Sequence, residues 1–450
     1  MLKKKLLSLV LTLILAAPAW AASIKSNTTW SGSVTLKEMV TVAAGVTLTL
    51  APGTTVRATS AEAGIAVSGT IKVNGSGAAP IVLSGVKGWK GIMLNETGAA
   101  PHRVSYARFS DAENGISVMA GQVEIRNSEF RNCDTGVKLV REGKLLLEDS
   151  FFEKNSIGVA NEMKSVVTIR RNRFISQSKS AIIASHGSSG AIEKNTFEKN
   201  EQAIGLMQPY PGRLSQNRFL NNKVGIYCNQ SQNSPQIVDS TFEGNEIAVV
   251  NFSFAYPVIE NSTFINNGTA IRNDQFGSPK VTRNLLRGNK LAIYNYRKSN
   301  PVIEYNLIDA NDKALYCDFS SYPVVKNNNF TANKMGVELG IYQSADWEKR
   351  SGSKTIVQKE AEARNSKNPL LANAPTTFKD FVDVSGNWWG NDTKALVANP
   401  QGNHPFFYDR KDKAKVTYDG FGPDSYLLDE IRYHPWLNAA VTPIGPEKKK

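Results

Sequence analysis

Residues 257–271 read PVIENSTFINNGTAI, and nearly the same pattern returns at 301–315 as PVIEYNLIDANDKAL. An earlier copy, at 235–249, reads PQIVDSTFEGNEIAV. In each copy a central apolar residue is followed three positions later by asparagine. Repetition of one short pattern at a fixed period of about 20–50 residues is the sequence signature of a solenoid, so this repeat decides the fold.

The repeat extends well beyond these three copies. One apolar column recurs in steps of 21 to 23 residues. Its members are Phe109, Phe130, Phe152, Phe174, Phe197, Phe219, Phe242, Phe264, Leu286, Ile308 and Phe330. An aliphatic residue precedes each member by five positions, from Val104 to Val325, and a small residue followed by an aliphatic one comes about six positions after it. Each period therefore carries three apolar positions separated by polar turns.

Three short apolar stretches per period favour strands over helices, because a helix needs a 3.6-residue periodicity sustained over ten or more residues. A single coil cannot bury its own apolar face, whereas stacked coils form parallel sheets around one continuous core. We therefore predict an all-β chain with a single right-handed parallel β-helix, a β-solenoid of about 22 residues and three short strands per coil. Capping segments are expected at both ends, where strand edges would otherwise be exposed.

Asparagine and cysteine fit the same geometry. An asparagine lies three positions after most column members, namely Asn155, Asn200, Asn222, Asn245, Asn267, Asn289, Asn311 and Asn333. Asparagine suits tight turns, and identical stacked side chains hydrogen-bond along the axis as a ladder. Cys133, Cys228 and Cys317 are four coils apart, or about 19 Å along the axis. A disulfide needs α-carbons within about 7 Å, so three free thiols are expected.

The ends of the chain depart from the repeat. A basic start, an apolar run over 6–15 and the small-x-small sequence at 19–21 are typical of a secretory signal peptide. No later stretch is long and apolar enough to span a bilayer. The expected organisation is a signal peptide at 1–22, an N-terminal cap with irregular first coils at 23–100, regular coils at 101–340, an insertion at 341–384, last coils with a C-terminal cap at 385–437, and a charged tail at 438–450. The protein is thus expected to be exported, to the periplasm or the cell exterior.

Three stretches carry a family resemblance. They are the N-terminal W-x-G with LTLAPGTTV, the I-x-x-N-x-F-x-x-N-x-x-A-I coils, and the closing NWWG with YHPWL. Together they resemble exported bacterial right-handed β-helix repeat proteins of the pectin-lyase-like superfamily. That superfamily contains lyases, hydrolases, epimerases, adhesins and proteins without known activity, so the resemblance implies the fold rather than a reaction.

The net charge and the positions of acidic residues and histidines limit the classes of function that the chain could have. The formal net charge is +13, and removing the three lysines of the leader leaves +10. This excess favours an anionic partner such as an acidic polysaccharide, although it also serves solubility. The coils carry no adjacent aspartates, and the acidic pairs needed for glycoside hydrolysis or a calcium-dependent lyase are not recognisable. The four histidines never share a coil, so we expect no histidine-ligated metal site. We also expect no cofactor and no nucleic-acid partner.

The loops that precede Pro235, Pro257, Pro279, Pro301 and Pro323 are rich in aromatic residues and amides. All four intervals between these prolines are equal, so the loops should stack as one surface. Aromatic groups flanked by amides, with Arg272, Arg297 and Lys298 nearby, suit the apolar faces and hydroxyl groups of sugars. The candidate ligand-binding residues are Tyr227, Asn229, Asn251, Phe252, Phe254, Tyr256, Asn273, Phe276, Tyr294, Asn295, Tyr296, Tyr316, Asp318, Phe319 and Tyr322. Alternatively, these aromatic side chains pack on one another and only stiffen the loops.

Three functional hypotheses remain open. The leading one is non-catalytic binding or organisation of an extracellular or envelope polymer, such as an acidic polysaccharide. The second is a polysaccharide lyase or glycoside hydrolase with no recognised catalytic residues. The third is a structural or assembly partner of another envelope protein. Paired carboxylates on neighbouring coils would favour the enzyme. A continuous row of exposed aromatic side chains would favour the binding protein, and a flat apolar patch on a sheet face would favour the assembly partner. The oligomeric state is not predicted.

Overall fold

A computed structural model describes residues 23–95, 101–232, 235–351, 379–419 and 422–447. The predicted signal peptide, most of the predicted insertion at 341–384 and the last three residues of the charged tail lie outside these ranges. Among the described residues, no helix is long and apolar enough to cross a membrane.

The described chain winds through three parallel sheets, which we call A, B and C in the order in which each coil visits them. Sheet A has 16 strands: Ser23–Ile24, Met39–Val42, Gly64–Val67, Gly91–Asn95, Asn114–Met119, Thr135–Val140, Ile157–Asn161, Ser180–Ala184, Gln202–Leu206, Val224–Asn229, Ile247–Phe252, Thr269–Asp274, Leu291–Asn295, Lys313–Cys317, Met335–Leu339 and Phe407–Tyr408. Sheet B has 14 strands: Thr28–Trp30, Thr47–Leu50, Thr70–Asn74, His102–Ser105, Gln122–Arg126, Lys144–Glu148, Val166–Arg170, Ser189–Glu193, Gly212–Ser215, Gln236–Val238, Val258–Glu260, Lys280–Thr282, Val302–Glu304 and Val324–Lys326. Sheet C also has 14 strands: Ser33–Leu36, Thr55–Ala58, Ile81–Gly85, Ala107–Ser110, Glu129–Arg131, Phe151–Glu153, Arg173–Ile175, Thr196–Glu198, Arg218–Leu220, Thr241–Glu243, Thr263–Ile265, Leu285–Arg287, Leu307–Asp309 and Asn329–Thr331. This architecture confirms the predicted parallel β-helix.

The predicted apolar column runs through the centre of sheet C in single file. Phe242 pairs with Phe264 and Phe264 with Leu286, and all three side chains are fully buried. Consecutive phenylalanine rings from Phe109 to Phe264 stack with centroids 4.5–5.2 Å apart. These distances match the spacing of neighbouring strands, about 4.8 Å, so each coil rests directly on the one before it.

The predicted asparagine ladder is present between sheets C and A. The side-chain oxygen of Asn245 accepts hydrogen bonds from the backbone N–H and the Nδ2 of Asn222, at 2.9 and 3.0 Å. Its own Nδ2 donates to Asn267 Oδ1 at 2.9 Å and to the Phe219 carbonyl at 3.0 Å. Gln177 takes the same place in the coil of Phe174. The ladder therefore satisfies buried backbone groups in every turn that it crosses.

A second ladder, which the sequence analysis did not identify, lies between sheets B and C. Each member receives a hydrogen bond from the backbone N–H of its predecessor. Its members are Ser128, Ser150, Asn172, Asn195, Asn217, Ser240, Ser262, Asn284, Asn306, Asn328 and Asn387. The signal was available, because a serine or asparagine lies two positions before each column member in these coils.

The C-terminal region closes the helix with less regular elements. Helix α1 spans Ala345–Arg350, a 3₁₀ turn spans Gly390–Asp392, and helix α2 spans Thr393–Ala398. Two more strand pairs form there: Phe381–Asp383 is parallel to Glu430–Arg432, and Lys415–Thr417 is antiparallel to Ser425–Leu427. Trp389 stacks on Phe330 at 4.5 Å and so covers the end of the apolar column.

The three cysteines are free and buried in separate coils. Cys228 and Cys317 lie within strands of sheet A, whereas Cys133 follows a strand of sheet C. Burial raises the pKa of each thiol to about 12, so all three are protonated at neutral pH.

Candidate binding surface on sheet A

The predicted binding residues lie at the end of sheet A and in the loops that lead to sheet B, but not all of them face outward. Asn251, Asn273 and Asn295 are completely buried. Asn251 Nδ2 donates to Asn273 Oδ1 at 2.9 Å, and Asn273 Nδ2 donates to Asn295 Oδ1 at 2.8 Å. The expectation that these three amides are exposed is therefore wrong. The strands of sheet A continue through these positions, and the alternation of side chains turns them into the core.

The other candidate positions are less uniform. Tyr256 is buried, and Tyr322 turns inward, since its hydroxyl donates to Asp429 Oδ2 at 2.9 Å. Asp318 is also buried. The remaining candidates are partly exposed on the outer side of sheet A or in the loops: Tyr227, Asn229, Phe252, Phe254, Phe276, Tyr294, Tyr296, Tyr316 and Phe319. These nine side chains form the surface that is available to a ligand.

The aromatic rings of this surface stack on one another from coil to coil. Tyr294 lies parallel to Tyr316 with centroids 5.2 Å apart, and Phe254 lies parallel to Phe276 at 4.7 Å. Tyr227 and Phe252 are 6.3 Å apart. Because the rings stack along the axis, they cover one another's faces, and this agrees with the alternative hypothesis that the aromatic side chains pack on one another. Ring edges and hydroxyl groups, rather than ring faces, remain open to a ligand.

Arg272 supplies a fixed positive charge beside these tyrosines. Its guanidinium carbon lies 5.4 Å from the centroid of the Tyr294 ring, and its Nη2 lies 3.2 Å from Asp274 Oδ2. The arginine side chain is 41% exposed, whereas that of Asp274 is 6% exposed. A buried carboxylate thus holds an exposed guanidinium in one orientation, which lowers the entropy lost when the guanidinium binds a ligand anion.

Asp274 also has an unused acceptor. Its second oxygen, Oδ1, is buried and has no hydrogen-bond partner among the described residues. A buried acceptor without a partner is costly, so the stability of this carboxylate depends on its ion pair with Arg272. The sequence offered a signal for this residue, because it follows Arg272 by two positions on the same strand face. Arg272 was among the residues predicted to lie near the binding surface, whereas Asp274 was not.

Tyr316 and Asp318 form a hydrogen-bonded pair one coil beyond Tyr294. The tyrosine hydroxyl donates to Asp318 Oδ2 at 3.2 Å, and Oδ1 accepts the backbone N–H groups of Phe319 and Tyr342 at 2.9 and 2.8 Å. Gly340 makes room for the pair, since a Cβ there would lie 2.3 Å from Asp318 Cγ and from the Tyr316 hydroxyl oxygen. The pair is therefore built into the fold.

Burial shifts the pKa of both members of this pair. Burial raises the pKa of Asp318 to about 6, although its hydrogen bonds act in the opposite direction. Burial and the negative charge of Asp318 raise the pKa of Tyr316, and burial raises that of Tyr294 to about 12. The tyrosines therefore stay protonated at neutral pH, and both oxygens of Asp318 are already engaged. The tyrosines therefore act as hydrogen-bond donors, whereas Asp318 is ionised above about pH 6 and accepts hydrogen bonds.

Other charges near the surface are arranged around the same loops. The guanidinium carbon of Arg297 lies 5.1 Å from the Tyr296 ring centroid, one coil after Arg272. Lys298, by contrast, turns inward and pairs with buried Glu348 of helix α1 at 3.2 Å. Of the three cations noted in the sequence, two therefore face the surface and one helps to hold the C-terminal region against the coils.

The outer face of sheet B carries cross-strand ion pairs. Glu148 is bonded by Arg126 at 2.9 Å and by Arg170 and Arg171 from neighbouring positions. Burial opposes its ionisation, but these arginines prevail and lower the pKa of Glu148 to about 2. Because every carboxylate oxygen is bonded, this cluster stabilises the sheet rather than a ligand.

Comparison with known proteins gives two family matches. A family model described as periplasmic copper-binding protein (NosD) matches residues 71–253, and one described as right handed beta helix region matches residues 224–347. Two crystal structures of mutant forms of the periplasmic alginate epimerase AlgG are similar. The first has 11% identity and a TM-score of 0.31 and covers 60% of this chain and 73% of the other. The second has 9% identity and a TM-score of 0.26 and covers 68% and 76%. No curated protein matches the sequence significantly.

The copper in the description of the first family can be tested against the residues that it matches. Cys133 and Cys228 are the cysteines of that stretch, and both are buried with raised pKa values. His102 is buried and its Nδ1 accepts the backbone N–H of Ile71 at 3.2 Å. Among the described residues, no group of three or more His, Cys, Asp or Glu side chains is placed to hold a metal ion. These side chains do not fit a copper site.

Proposed function

We propose that this chain, a right-handed parallel β-helix repeat protein, is exported and binds an acidic polysaccharide along the outer face of sheet A without cleaving it. The observation that carries this proposal is the fixed, exposed guanidinium of Arg272 between buried Asp274 and the Tyr294 ring. A carboxylate of the polymer would pair with the guanidinium.

Export is supported by the sequence of the leader and by the periplasmic proteins named in the comparisons. The surface also suits an extended ligand, because its partly exposed aromatic side chains recur in each coil from Tyr227 to Phe319. Arg297 would add a second cation one coil after Arg272. A polymer that lies along the axis would thus meet repeated, similar contacts.

Binding without catalysis is favoured over a lyase or a hydrolase by the state of the acidic groups. Asp318 is buried with both oxygens hydrogen-bonded, and Asp274 is buried and pairs with an arginine. Hydrolysis of a glycosidic bond requires two carboxyl groups that flank the bond and contact the substrate. A lyase requires a base that is free to accept a proton, and the tyrosines here remain protonated.

The test is retention of the purified mature protein on immobilised polygalacturonate and alginate, with neutral dextran as the reference polymer. We expect retention on the acidic polymers and no new reducing or unsaturated ends in solution. Replacement of Arg272 by glutamine should weaken binding by about 10–100-fold, since a hydrogen bond to a charged group is worth about 1.5–3 kcal/mol.

Arg287 provides a matched control on sheet C, where it pairs with Asp309 at 2.8 Å and is 51% exposed. Arg287→Gln removes the same charge and the same kind of ion pair from a different face, so it should change binding by less than about twofold. Equal losses for the two variants would show non-specific attraction to the basic protein. New chain ends would instead establish an enzyme, and absence of both retention and product would favour an assembly partner.

A further inference from the structure

A groove of about 300 Å³ lies on the outer face of sheet B at its C-terminal end. One side is formed by Asn300, Tyr322 and Pro323 from the A–B loops, and the other by the strand Phe381–Asp383. Val324 and Lys326 of the last strand of sheet B lie at its base. Its volume is at the lower end of the range for sites that hold small ligands, about the size of a single ring or two.

The groove has an excess of positive charge. Lys326 and Lys379 are both exposed, and among the described residues neither has a carboxylate within ion-pair distance. The one acidic residue of the lining is Asp383, and its Oδ1 already accepts the backbone N–H of Ser385 at 3.0 Å. A ligand with one negative charge would therefore be complementary to the two ammonium groups.

The groove also offers apolar contact. Val324 is 47% exposed, a large fraction for an aliphatic side chain in the middle of a strand. The Phe381 ring is fixed, because the guanidinium carbon of Arg432 lies 3.3 Å from its centroid, and Lys379 Nζ lies 5.6 Å from the same centroid. A ligand that bears both a carboxylate and the C–H groups of a sugar ring would contact the lysines and these apolar side chains at once.

The groove adjoins the binding surface on sheet A. Tyr322 lies in the same loop as Phe319, which belongs to that surface, and its backbone N–H donates to Asn300 Oδ1 at 2.5 Å. Phe319 in turn stacks on Tyr342 at 4.4 Å, and Trp347 of helix α1 lies edge-on to it at 6.4 Å. The C-terminal region therefore covers this end of the sheet A surface, close to the groove.

We infer that this groove binds the terminal carboxylated sugar of an acidic polysaccharide, with Lys326 and Lys379 holding the carboxylate and Phe381 and Val324 contacting the ring. This inference rests on the proposed function for the class of ligand, but it concerns a separate site. It implies that the protein recognises chain ends as well as the interior of a polymer.

Binding of digalacturonate, measured by isothermal titration calorimetry on the full-length mature protein, tests the inference. We expect binding to the unaltered protein, weakening of at least tenfold in the double variant Lys326→Gln with Lys379→Gln, and no binding of uncharged digalactose. Lys334→Gln is the matched control, since Lys334 is 81% exposed and pairs with Asp312 elsewhere on the surface. It should leave digalacturonate affinity unchanged.

The same set of proteins separates this inference from the proposed function. Arg272→Gln should reduce retention on polygalacturonate and leave digalacturonate binding intact. The lysine double variant should reduce digalacturonate binding and leave retention on polygalacturonate intact. The inference is overturned if digalacturonate does not bind at millimolar concentration, if the double variant binds it as well as the unaltered protein does, or if Arg272→Gln abolishes its binding. Failure of polymer retention alone would overturn only the proposed function.

Discussion

Replacement of Asn245 by alanine tests the energetic role of the asparagine ladder. Asn245 takes part in four hydrogen bonds of 2.9–3.0 Å: two from Asn222, one to Asn267 and one to the Phe219 carbonyl. Truncation leaves the backbone N–H and the Nδ2 of Asn222 without their common acceptor and the Phe219 carbonyl without this donor. Each buried group that loses its partner costs about 1–3 kcal/mol, so the loss of three partners should lower the free energy of unfolding by about 3–9 kcal/mol.

Asn333 provides the internal control because it is the terminal rung of the same ladder. It accepts two hydrogen bonds from Asn311 and donates one to the Ile308 carbonyl, but it is only half-buried. Water can replace the asparagine there, and Asn333→Ala should cost about 1–2 kcal/mol. Both variants can be measured by guanidinium denaturation followed by far-ultraviolet circular dichroism.

A local measurement strengthens the test. The backbone N–H of Asn222 should exchange with solvent deuterium markedly faster in Asn245→Ala than in Asn333→Ala, because its acceptor is lost only in the first variant. If the two variants lost equal stability, or if Asn245→Ala cost less than about 1 kcal/mol, the ladder would not contribute as its hydrogen bonds indicate. The reasoning about buried donors in this solenoid would then be refuted.

Three further predictions concern Gly340, Glu148 and Asp429. Gly340→Ala should push Tyr316 and Asp318 apart, so we expect a loss of stability of about 1–3 kcal/mol and weaker retention on polygalacturonate. Gly77→Ala is the control, because a Cβ there would meet only the Tyr106 ring at 3.8 Å, and it should change neither quantity. Glu148 has a depressed pKa of about 2, so its contribution is present above its ordinary pKa of 4.5 and is lost as pH falls towards 2. Glu148→Gln should therefore cost about 1–3 kcal/mol at pH 7, and denaturation at pH 2 should show little difference from the unaltered protein. Burial raises the pKa of Asp429 to about 7 despite its hydrogen bonds from Ala345, Tyr322 and Gln343. Folding thus takes up a proton there, so the contribution of neutral Asp429 to stability is lost as pH rises from its ordinary pKa of 3.8 to about 7. Asp429→Asn should remove that part of the decline between about pH 4 and 7, and an unchanged decline would show that another group is responsible.

Much of the fold could be read from the sequence because a solenoid repeats its constraints. The 22-residue period placed Phe242, Phe264 and Leu286 in one file and Asn222 and Asn245 in one ladder, and the structure confirms both. The second ladder followed from the same period and was overlooked only because serine and asparagine alternate in it. Where the position of a residue within the repeat sets its environment, the sequence pattern alone predicts whether its side chain is buried.

The candidate site depended on details that the period does not contain. The equal spacing of Asn251, Asn273 and Asn295 fitted an exposed loop and a buried strand equally well, and the end of each sheet A strand decided between them. The sequence likewise suggested exposed ring faces, whereas the rings cover one another at the coil spacing. A shift of two residues in strand length changes which side chains a ligand can reach.

The sequence by itself determined the coiled path of the chain, the composition of its core and the presence of aromatic, amide and cationic residues on one set of loops. Only the tertiary structure decided which of those residues are accessible, that Asp274 fixes Arg272, and that Lys298 turns inward to Glu348. It alone formed the groove between Val324 and Phe381, which are 57 positions apart in the chain. The physical reason is that repeated contacts are local in the period, whereas the C-terminal segments that complete these sites follow no period and are placed by packing alone.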